Sequence, residues 1–356
     1  MTKTTEVVAM GRYSVLYTGG TLPDDDLATL AARGFDVEVA DIDLDEAGLR
    51  TALKGKDAYI LAGVEHVTAG ALEEAEQLKA IAFFGVGYSG FIDTEPVTAR
   101  GIAITNAPGA NARAVAEFSI AIMLDAWRSV TDLVVKTKAG QWEQSVGRNL
   151  EGRTLGVVGA GAIGSAVARI AHLGLGMRIG YCGPHVKPEL EAGTGAVRLP
   201  LAELLATSDV VSLHVPYSEQ THGLIDAAAL ARFKAGAILV NMSEPEVVDP
   251  HALRSALAEG RLTAAAMDGY YAEPAPAPAD DPYGLLALPH GRLLVAPHTA
   301  NATGESFQAT LRANVESLTN VLTHGDDLRV VNPGFRSHAG WLPGPGVRAG
   351  IGEGRG

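Results

Sequence analysis

Cysteine is almost missing from this sequence: Cys182 is the single one. One thiol excludes an intramolecular disulfide and a multi-cysteine metal site, and it fits a reducing compartment. An excess of positive charge is missing too. The chain has 28 Lys and Arg against 41 Asp and Glu, a formal net charge of −13. Such a chain has no general attraction to nucleic acid or to anionic lipid, and no Lys/Arg run marks a local basic patch. No uninterrupted apolar stretch approaches the roughly 18 residues of a transmembrane helix. The N-terminal residues, Met1 to Tyr13, are polar and mixed in charge, without the apolar centre of a signal peptide. The expected location is the cytoplasm, with neither membrane nor nucleic acid as partner. What is present is ordinary globular composition, 47% hydrophobic and 19% charged residues. The 356 residues suffice for about two domains of roughly 150 residues each.

Along residues 12–106, short apolar runs alternate with helical patterns. Ser14–Tyr17, Val37–Ala40, Ala58–Leu61, Ala80–Phe84 and Ile102–Thr105 read as strands. Asp24–Ala32 and Asp45–Leu53 carry apolar residues at three-to-four spacing between them. This alternation predicts parallel α/β architecture. One long helix is expected over Ala112–Ala139, free of Pro and Gly inside and closed by Gly140. It either joins domains, packs on another subunit or serves as an ordinary core helix. Residues 152–300 repeat the alternation, with strands at Thr154–Val158, Met177–Tyr181, Val210–His214, Ile238–Asn241, Ala264–Met267 and Leu293–Ala296. The segment after Asn332 is rich in Gly and Pro and reads as mobile.

The strongest local signal is Gly159-Ala-Gly161-Ala-Ile-Gly164, with an apolar strand before it and a helical pattern after it. Gly159 permits a tight turn, Gly161 lets backbone approach a pyrophosphate, and Gly164 lets helix and strand pack closely. The first helical N–H groups, at Ala162 and Ile163, then face the anion, aided by the helix dipole. These residues predict dinucleotide binding. An Asp or Glu ending the next strand would grip the adenosine ribose. The stretch here is Tyr181-Cys182-Gly183-Pro184-His185-Val186-Lys187, with no carboxylate at Gly183. His185 and Lys187 stand ready for a 2′-phosphate, so NADPH is favoured and NADH stays open. Cys182 reads as strand filler.

Taken together, the motifs resemble the D-isomer-specific 2-hydroxyacid dehydrogenases over about residues 60 to 332. The resemblance rests on Phe84-Gly85-Val86-Gly87-Tyr88, Gly101–Gly109, Ala114-Val115-Ala116-Glu117, the phosphate loop, Ser212–Pro216 with Thr221, Ala265–Asp268, Glu273-Pro274 and Pro297-His298, all in the family's order. It implies a two-lobed α/β protein with its cleft between the lobes. A Rossmann-type, doubly wound parallel-sheet cofactor domain is expected over 107–299. A discontinuous, flavodoxin-like substrate domain is expected over 1–106 and 300–334, with 335–356 as a mobile tail. The resemblance implies substrate contacts at Val86, Gly87 and Tyr88. It implies cofactor contacts at Val215, Pro216, Thr221, Met242, Asp268 and His298 besides the glycine loop. It also implies a homodimer built through the cofactor domains. His214 is expected to pack near the cofactor.

Reduction of a carbonyl by a nicotinamide needs a hydride at carbon and a proton at oxygen. A histidine is the natural proton donor near neutral pH, and a carboxylate behind its other nitrogen fixes the tautomer and raises the pKa. His298 and Glu273 match the family's catalytic pair. The family's third catalytic residue is an Arg within Asn-x-x-Arg-Gly-x-x-Val-Asp. Here the stretch is Asn241-Met-Ser-Glu244-Pro245-Glu-Val-Val-Asp249, so Glu244 takes the Arg position. Two like charges about 4 Å apart repel by roughly 1 to 4 kcal/mol, so an ordinary 2-keto carboxylate should bind poorly if Glu244 faces it. Several outcomes are open: a cationic substrate, a neutral carbonyl, a substitute Arg such as Arg113 or Arg148, a dinucleotide sensor without catalysis, or a Glu244 turned outwards. The loop Gly85–Asp93 is one residue longer than the usual pattern, and the segment after Glu273 is long and Pro-rich. Tyr88, Tyr270 and Tyr271 either line a cleft for a larger substrate or pack. The expected activity is thus an NAD(P)-dependent oxidoreductase with an atypical carbonyl substrate. A non-catalytic sensor and an ordinary 2-keto acid reductase are the alternatives.

Overall fold

The computed structural model describes residues 13–40 and 44–341. In chain order its elements are β1 (Tyr13–Thr18), α1 (Asp24–Ala32), β2 (Phe35–Val39), α2 (Glu46–Leu53), β3 (Ala58–Leu61), β4 (Ala80–Phe83), α3 (Thr94–Ala99), β5 (Ala103–Thr105), α4 (Ala112–Arg128), α5 (Val130–Lys138), β6 (Thr154–Val158), α6 (Ala162–Leu175), β7 (Arg178–Cys182), α7 (Pro188–Thr194), β8 (Val197–Arg198), α8 (Leu201–Thr207), β9 (Val210–Leu213), α9 (Ala227–Arg232), β10 (Ala237–Asn241), α10 (Pro250–Ala258), β11 (Leu262–Asp268), β12 (Leu293–Ala296) and α11 (Gly304–His324). The chain divides into two units. One joins the part up to Ala110 with the part from Phe307 onward; the other is Asn111–Ser306.

The first unit is built on five parallel strands in the order β2-β1-β3-β4-β5, the flavodoxin-like arrangement. Its central strand β3 is wholly buried, as an all-apolar run covered on both faces should be. Edge strand β2 turns Asp36 and Glu38 outward, which discourages pairing with another chain. Leu311, Val315 and Leu318 of the returning α11 pack with Tyr17, Ile60 and Ala82 on one face of the sheet. Leu49, Leu53 and Val97 pack with Leu61 and Ile81 on the other. Asn332 ties the returning segment to β5. Its Oδ1 accepts the Ile104 N–H at 2.7 Å, and its Nδ2 donates to the Ile102 carbonyl at 2.9 Å.

Beyond Asn332 the structure corrects the expectation of a mobile tail as far as it is described. Pro333–Ser337 forms a short helical turn with Phe335 2% exposed. The Trp341 indole donates to the Gly325 carbonyl at 2.9 Å. Two aromatic anchors order this stretch without any apolar periodicity to announce it. Residues 342–356 lie outside the described residues.

The second unit holds seven parallel strands in the order β12-β11-β10-β9-β6-β7-β8. That is the Rossmann order with one further strand, β12, at the edge. The order reverses between β6 and β9, which places the ligand crevice of such sheets at their carboxyl ends. Residues of α4 and α6 cover one face, and residues of α8, α9 and α10 cover the other. The single long helix expected over Ala112–Ala139 is instead two. Ser129 takes the left-handed conformation at φ 53, which ends α4. The Asp125 carboxylate accepts the Thr131 N–H at 2.8 Å and also the Thr131 hydroxyl. A side-chain cap, with neither Gly nor Pro, therefore makes the break.

Candidate active site

The phosphate loop leaves β6 and enters α6. Gly159 has φ +93, and a Cβ there would meet the His214 carbonyl oxygen at 2.6 Å. At Gly164 a Cβ would stand 2.2 Å from the Gly159 carbonyl oxygen and 2.9 Å from Val157 Cγ1. A Cβ at Gly161, by contrast, would have nothing within 4 Å. Gly161 is also the N-cap of α6 and offers no side-chain cap. The first N–H groups of this helix, those of Ala162, Ile163 and Gly164, are left for an outside acceptor. An open cradle before an uncapped helix start fits a pyrophosphate. Gly164→Ala is expected to lower unfolding free energy in denaturant by about 1–3 kcal/mol, the usual range for overpacking. Gly161→Ala should leave stability unchanged and weaken dinucleotide binding, measured by calorimetry.

Around the cradle, Val215 donates its N–H to the Ser243 hydroxyl at 2.9 Å. His214 bonds through Nε2 to the Ser212 hydroxyl at 2.8 Å, while its Nδ1 is buried without a partner. Burial pushes its pKa down to about 3, so the ring is neutral and serves no acid role at neutral pH. The Thr221 hydroxyl donates to the Pro216 carbonyl at 2.8 Å and accepts the Ser218 N–H at 2.8 Å. It shapes its own loop. Met242 packs partly buried against the core beneath the sheet's end. His185 is exposed; Lys187 is half-buried and donates its backbone N–H to the Tyr181 hydroxyl at 2.9 Å. Burial raises the pKa of Cys182, consistent with a filler role.

At the carboxyl ends of β11 and β12 the structure brings His298 and Glu273 together. His298 Nδ1 lies 3.1 Å from Glu273 Oε2 and 3.2 Å from Oε1. An ionised carboxylate only accepts, so Nδ1 carries the proton and Nε2 is left outward. His298 sits at φ 50, a conformation unusual for a residue with a Cβ. Asp268 holds it there. One Asp268 oxygen accepts the Thr299 N–H at 2.8 Å and the other the Ala300 N–H at 2.7 Å. Beside it Gly269 has φ +103, and a Cβ there would lie 2.7 Å from Glu273 Oε1. Sequence reasoning missed Gly269 and the bracing role of Asp268. A glycine directly after a strand-ending acid was the one available signal.

Glu244 follows β10 on a loop tied to Asn241. Asn241 Oδ1 accepts the Ser243 N–H at 3.0 Å, and its Nδ2 donates to the Glu244 carbonyl at 3.3 Å. The Glu244 residue is open to solvent on one side, while the packed loop partly desolvates its carboxyl. That desolvation raises its pKa. The charge of His298 opposes the rise, and Glu246 and Glu273 add to it. Geometry agrees: a Cβ at Gly269 would lie 3.6 Å from Pro245 Cγ and 3.7 Å from His298 Nδ1, so Glu244 immediately precedes a residue packed beside the His298–Glu273 pair. Of the proposed substitute cations, Arg113 pairs with Glu117 on an exposed turn of α4. Arg148 stacks over Trp127 at 4.4 Å and donates to Gly236, at the start of β10. That is the opposite end of the strand from Glu244.

In the first unit, the Val86 carbonyl accepts the Asn106 side-chain amide at 2.9 Å and the Tyr88 N–H at 3.2 Å. The N–H groups of Val86 and Gly87 have no partner among the described residues. Tyr270 and Tyr271 belong to packing. Tyr270 is 4% exposed, and the Tyr271 hydroxyl donates to the Val248 carbonyl at 2.8 Å. Among the described residues no helix is long and apolar enough to cross a membrane, and no group of His, Cys, Asp and Glu could hold a metal ion.

A Rossmann sheet with an open phosphate cradle, and a carboxylate-backed histidine at the same sheet edge, belong to a nicotinamide-dependent oxidoreductase. Comparison with known proteins narrows this. Residues 120–300 match the NAD-binding domain of D-isomer specific 2-hydroxyacid dehydrogenases. The chain is 37% identical over 298 residues to a glyoxylate reductase of Korarchaeum cryptofilum, covering 80% of this chain and 87% of that protein. It is 33% identical over 318 residues to glyoxylate/hydroxypyruvate reductase B of Klebsiella pneumoniae, covering 88% and 96%. Among solved structures it resembles the D-mandelate dehydrogenase of Rhodotorula graminis, with TM-score 0.79, 28% identity, and coverage of 90% and 97%. The chain belongs to the D-isomer specific 2-hydroxyacid dehydrogenase family.

Proposed function

We propose that this family member reduces the carbonyl of a substrate without an exposed 2-carboxylate, either neutral or bearing a cation, and that it uses NADPH. The carrying observation is the place of Glu244 directly before Pro245, which packs beside Gly269 together with Glu273 and His298, at the position where the resemblance sets an Arg. An anion there repels a keto acid and attracts an amine. When bound, the nicotinamide supplies the hydride. Glu273 orients His298 through Nδ1, and His298 Nε2 delivers the proton to the carbonyl oxygen. The backbone N–H groups of Val86 and Gly87 receive a polar group of the substrate. The Ala162–Gly164 helix start holds the pyrophosphate, and Val215, Pro216, Thr221, Met242 and Asp268 border the cofactor. For NADPH over NADH, the support is the missing carboxylate at Gly183 with His185 and Lys187 just beyond. A homodimer through the second unit is part of the reading. Its support is the exposed apolar surface of Val130, Val134 and Val135 on α5, with Trp142 and Val146 following.

The test is a spectrophotometric turnover screen with NADPH and NADH. Glyoxylate and hydroxypyruvate run beside amino-ketones and neutral carbonyls. Faster turnover of a cationic or neutral carbonyl than of the keto acids is expected. A clear preference for glyoxylate overturns the substrate reading. Dinucleotide binding with no turnover across the panel overturns the catalytic one.

A further inference from the structure

The end of β7 is where an adenosine ribose is read in sheets of this order. Here the turn after it is gripped from the neighbouring strand. Arg198 lies opposite Tyr181 in the β7–β8 register. Its Nε donates to the Gly183 carbonyl at 3.1 Å, and its Nη2 donates to the Gly183 carbonyl at 2.9 Å and the Pro184 carbonyl at 3.1 Å. A guanidinium has five N–H donors. These bonds occupy Nε and both donors of Nη2, leaving the Nη1 pair. No carboxylate neutralises the group among the described residues. On α7, Glu191 accepts the Tyr181 hydroxyl at 2.6 Å, and Glu189 lies 4.0 Å from Arg169. The phosphate loop touches the same turn, since Gly159 donates its N–H to the Cys182 carbonyl at 2.9 Å. A Cβ at Gly183 would have only the Ala160 nitrogen for a neighbour, at 4.0 Å.

We propose that Arg198 is the residue that selects a 2′-phosphorylated dinucleotide, its free Nη1 edge binding the 2′-phosphate beside Gly183. The proposal rests on the NADPH reading above and deepens it. Binding of a charged phosphate needs a cation that does not lose its freedom on binding. Arg198 has already lost it to the two carbonyls, so its guanidinium is in place beforehand. A phosphate monoester oxygen accepts from an Nη1 N–H and neutralises a charge that otherwise lacks a counterion. The ribose hydroxyl of NADH gains little from the same guanidinium, and no carboxylate stands at Gly183 to accept from it. Lys187 and His185 lie on the same turn, but among the described residues no backbone carbonyl fixes their side chains in place as it does that of Arg198.

The probes are 2′-phospho-ADP-ribose and ADP-ribose, titrated calorimetrically into the wild-type protein and Arg198→Ala. Circular dichroism checks the fold. Arg198→Gln, which keeps a donor for the Gly183 carbonyl, repeats the measurement where alanine loosens the turn. The wild type should prefer the phosphorylated probe. Arg198→Ala should weaken it by about tenfold or more, as expected for a charged hydrogen-bonding partner, and weaken ADP-ribose by less than about threefold. A preference that survives both substitutions overturns the role of Arg198 and leaves the NADPH reading standing. Equal weakening of both probes in both variants also overturns it, because Arg198 then only braces the turn. A wild type without preference overturns both readings.

Discussion

Replacing His298 with alanine is expected to lower turnover by about 10²–10⁴-fold, the usual contribution of a positioned general acid. The far-UV circular dichroism spectrum should stay at the wild-type level and dinucleotide binding should persist, because the pyrophosphate cradle is a separate loop. Full activity in the variant would remove His298 from the mechanism. The pH dependence is a sharper test. Burial alone would lower the pKa of His298. The hydrogen bond and charge of Glu273, helped by Glu244 and Asp268, outweigh it and set the value above the usual 6.5. The acid form therefore persists to higher pH than in a free histidine, and reduction should slow as pH rises through that raised pKa. Glu273→Gln removes the largest upward contribution, so the fall should move to lower pH. An unmoved profile would show that some other group delivers the proton.

The second large effect is expected at Glu244. Glu244→Arg exchanges repulsion of a substrate carboxylate for attraction. At about 4 Å each is worth at least about 1 kcal/mol. The sum, about 2 kcal/mol, corresponds to about a 30-fold rise in kcat/KM on glyoxylate. Activity on a cationic carbonyl should fall together with that gain, and Glu244→Gln should lie between. Calorimetric denaturation checks that the loop is intact, since Asn241 holds it through the backbone of Ser243 and Glu244. If glyoxylate kinetics are unchanged in Glu244→Arg, the side chain at this position does not meet the substrate.

Much of the fold was legible because its strands are buried on both faces. Wholly apolar runs such as Ala80–Phe83 and Ala237-Ile238-Leu239-Val240 mark themselves by composition. The glycine loop was legible because two steric requirements, at Gly159 and Gly164, and the open space at Gly161 fall at one fixed spacing. The break at Ser129 was not legible. It depends on a carboxylate from one helix reaching the first turn of the next, and composition does not record that. The packed turn at Pro333–Ser337 was hidden for a similar reason: it is anchored by single aromatic residues. In the site, the residue types of His298, Glu273 and Glu244 could be named from the motifs. The backbone of His298, held left-handed by Asp268, could not, because that grip joins β11 to the loop after β12. Arg198 was missed as well. Its strand has two residues, too few for any period.

The tether from Asn241 to the Glu244 loop has an evolutionary side. Asn241 is 2% exposed and ends a strand whose residues are all buried. It fixes the path of the following residues through their backbone atoms, whatever side chains they carry. Charge at the mouth of the site can then be rewritten, even reversed in sign, while the sheet beneath keeps its stability. Descendants of such a scaffold can diversify in what they accept along a nearly neutral route, because the determinants of folding and of choice reside in different atoms of the same short segment.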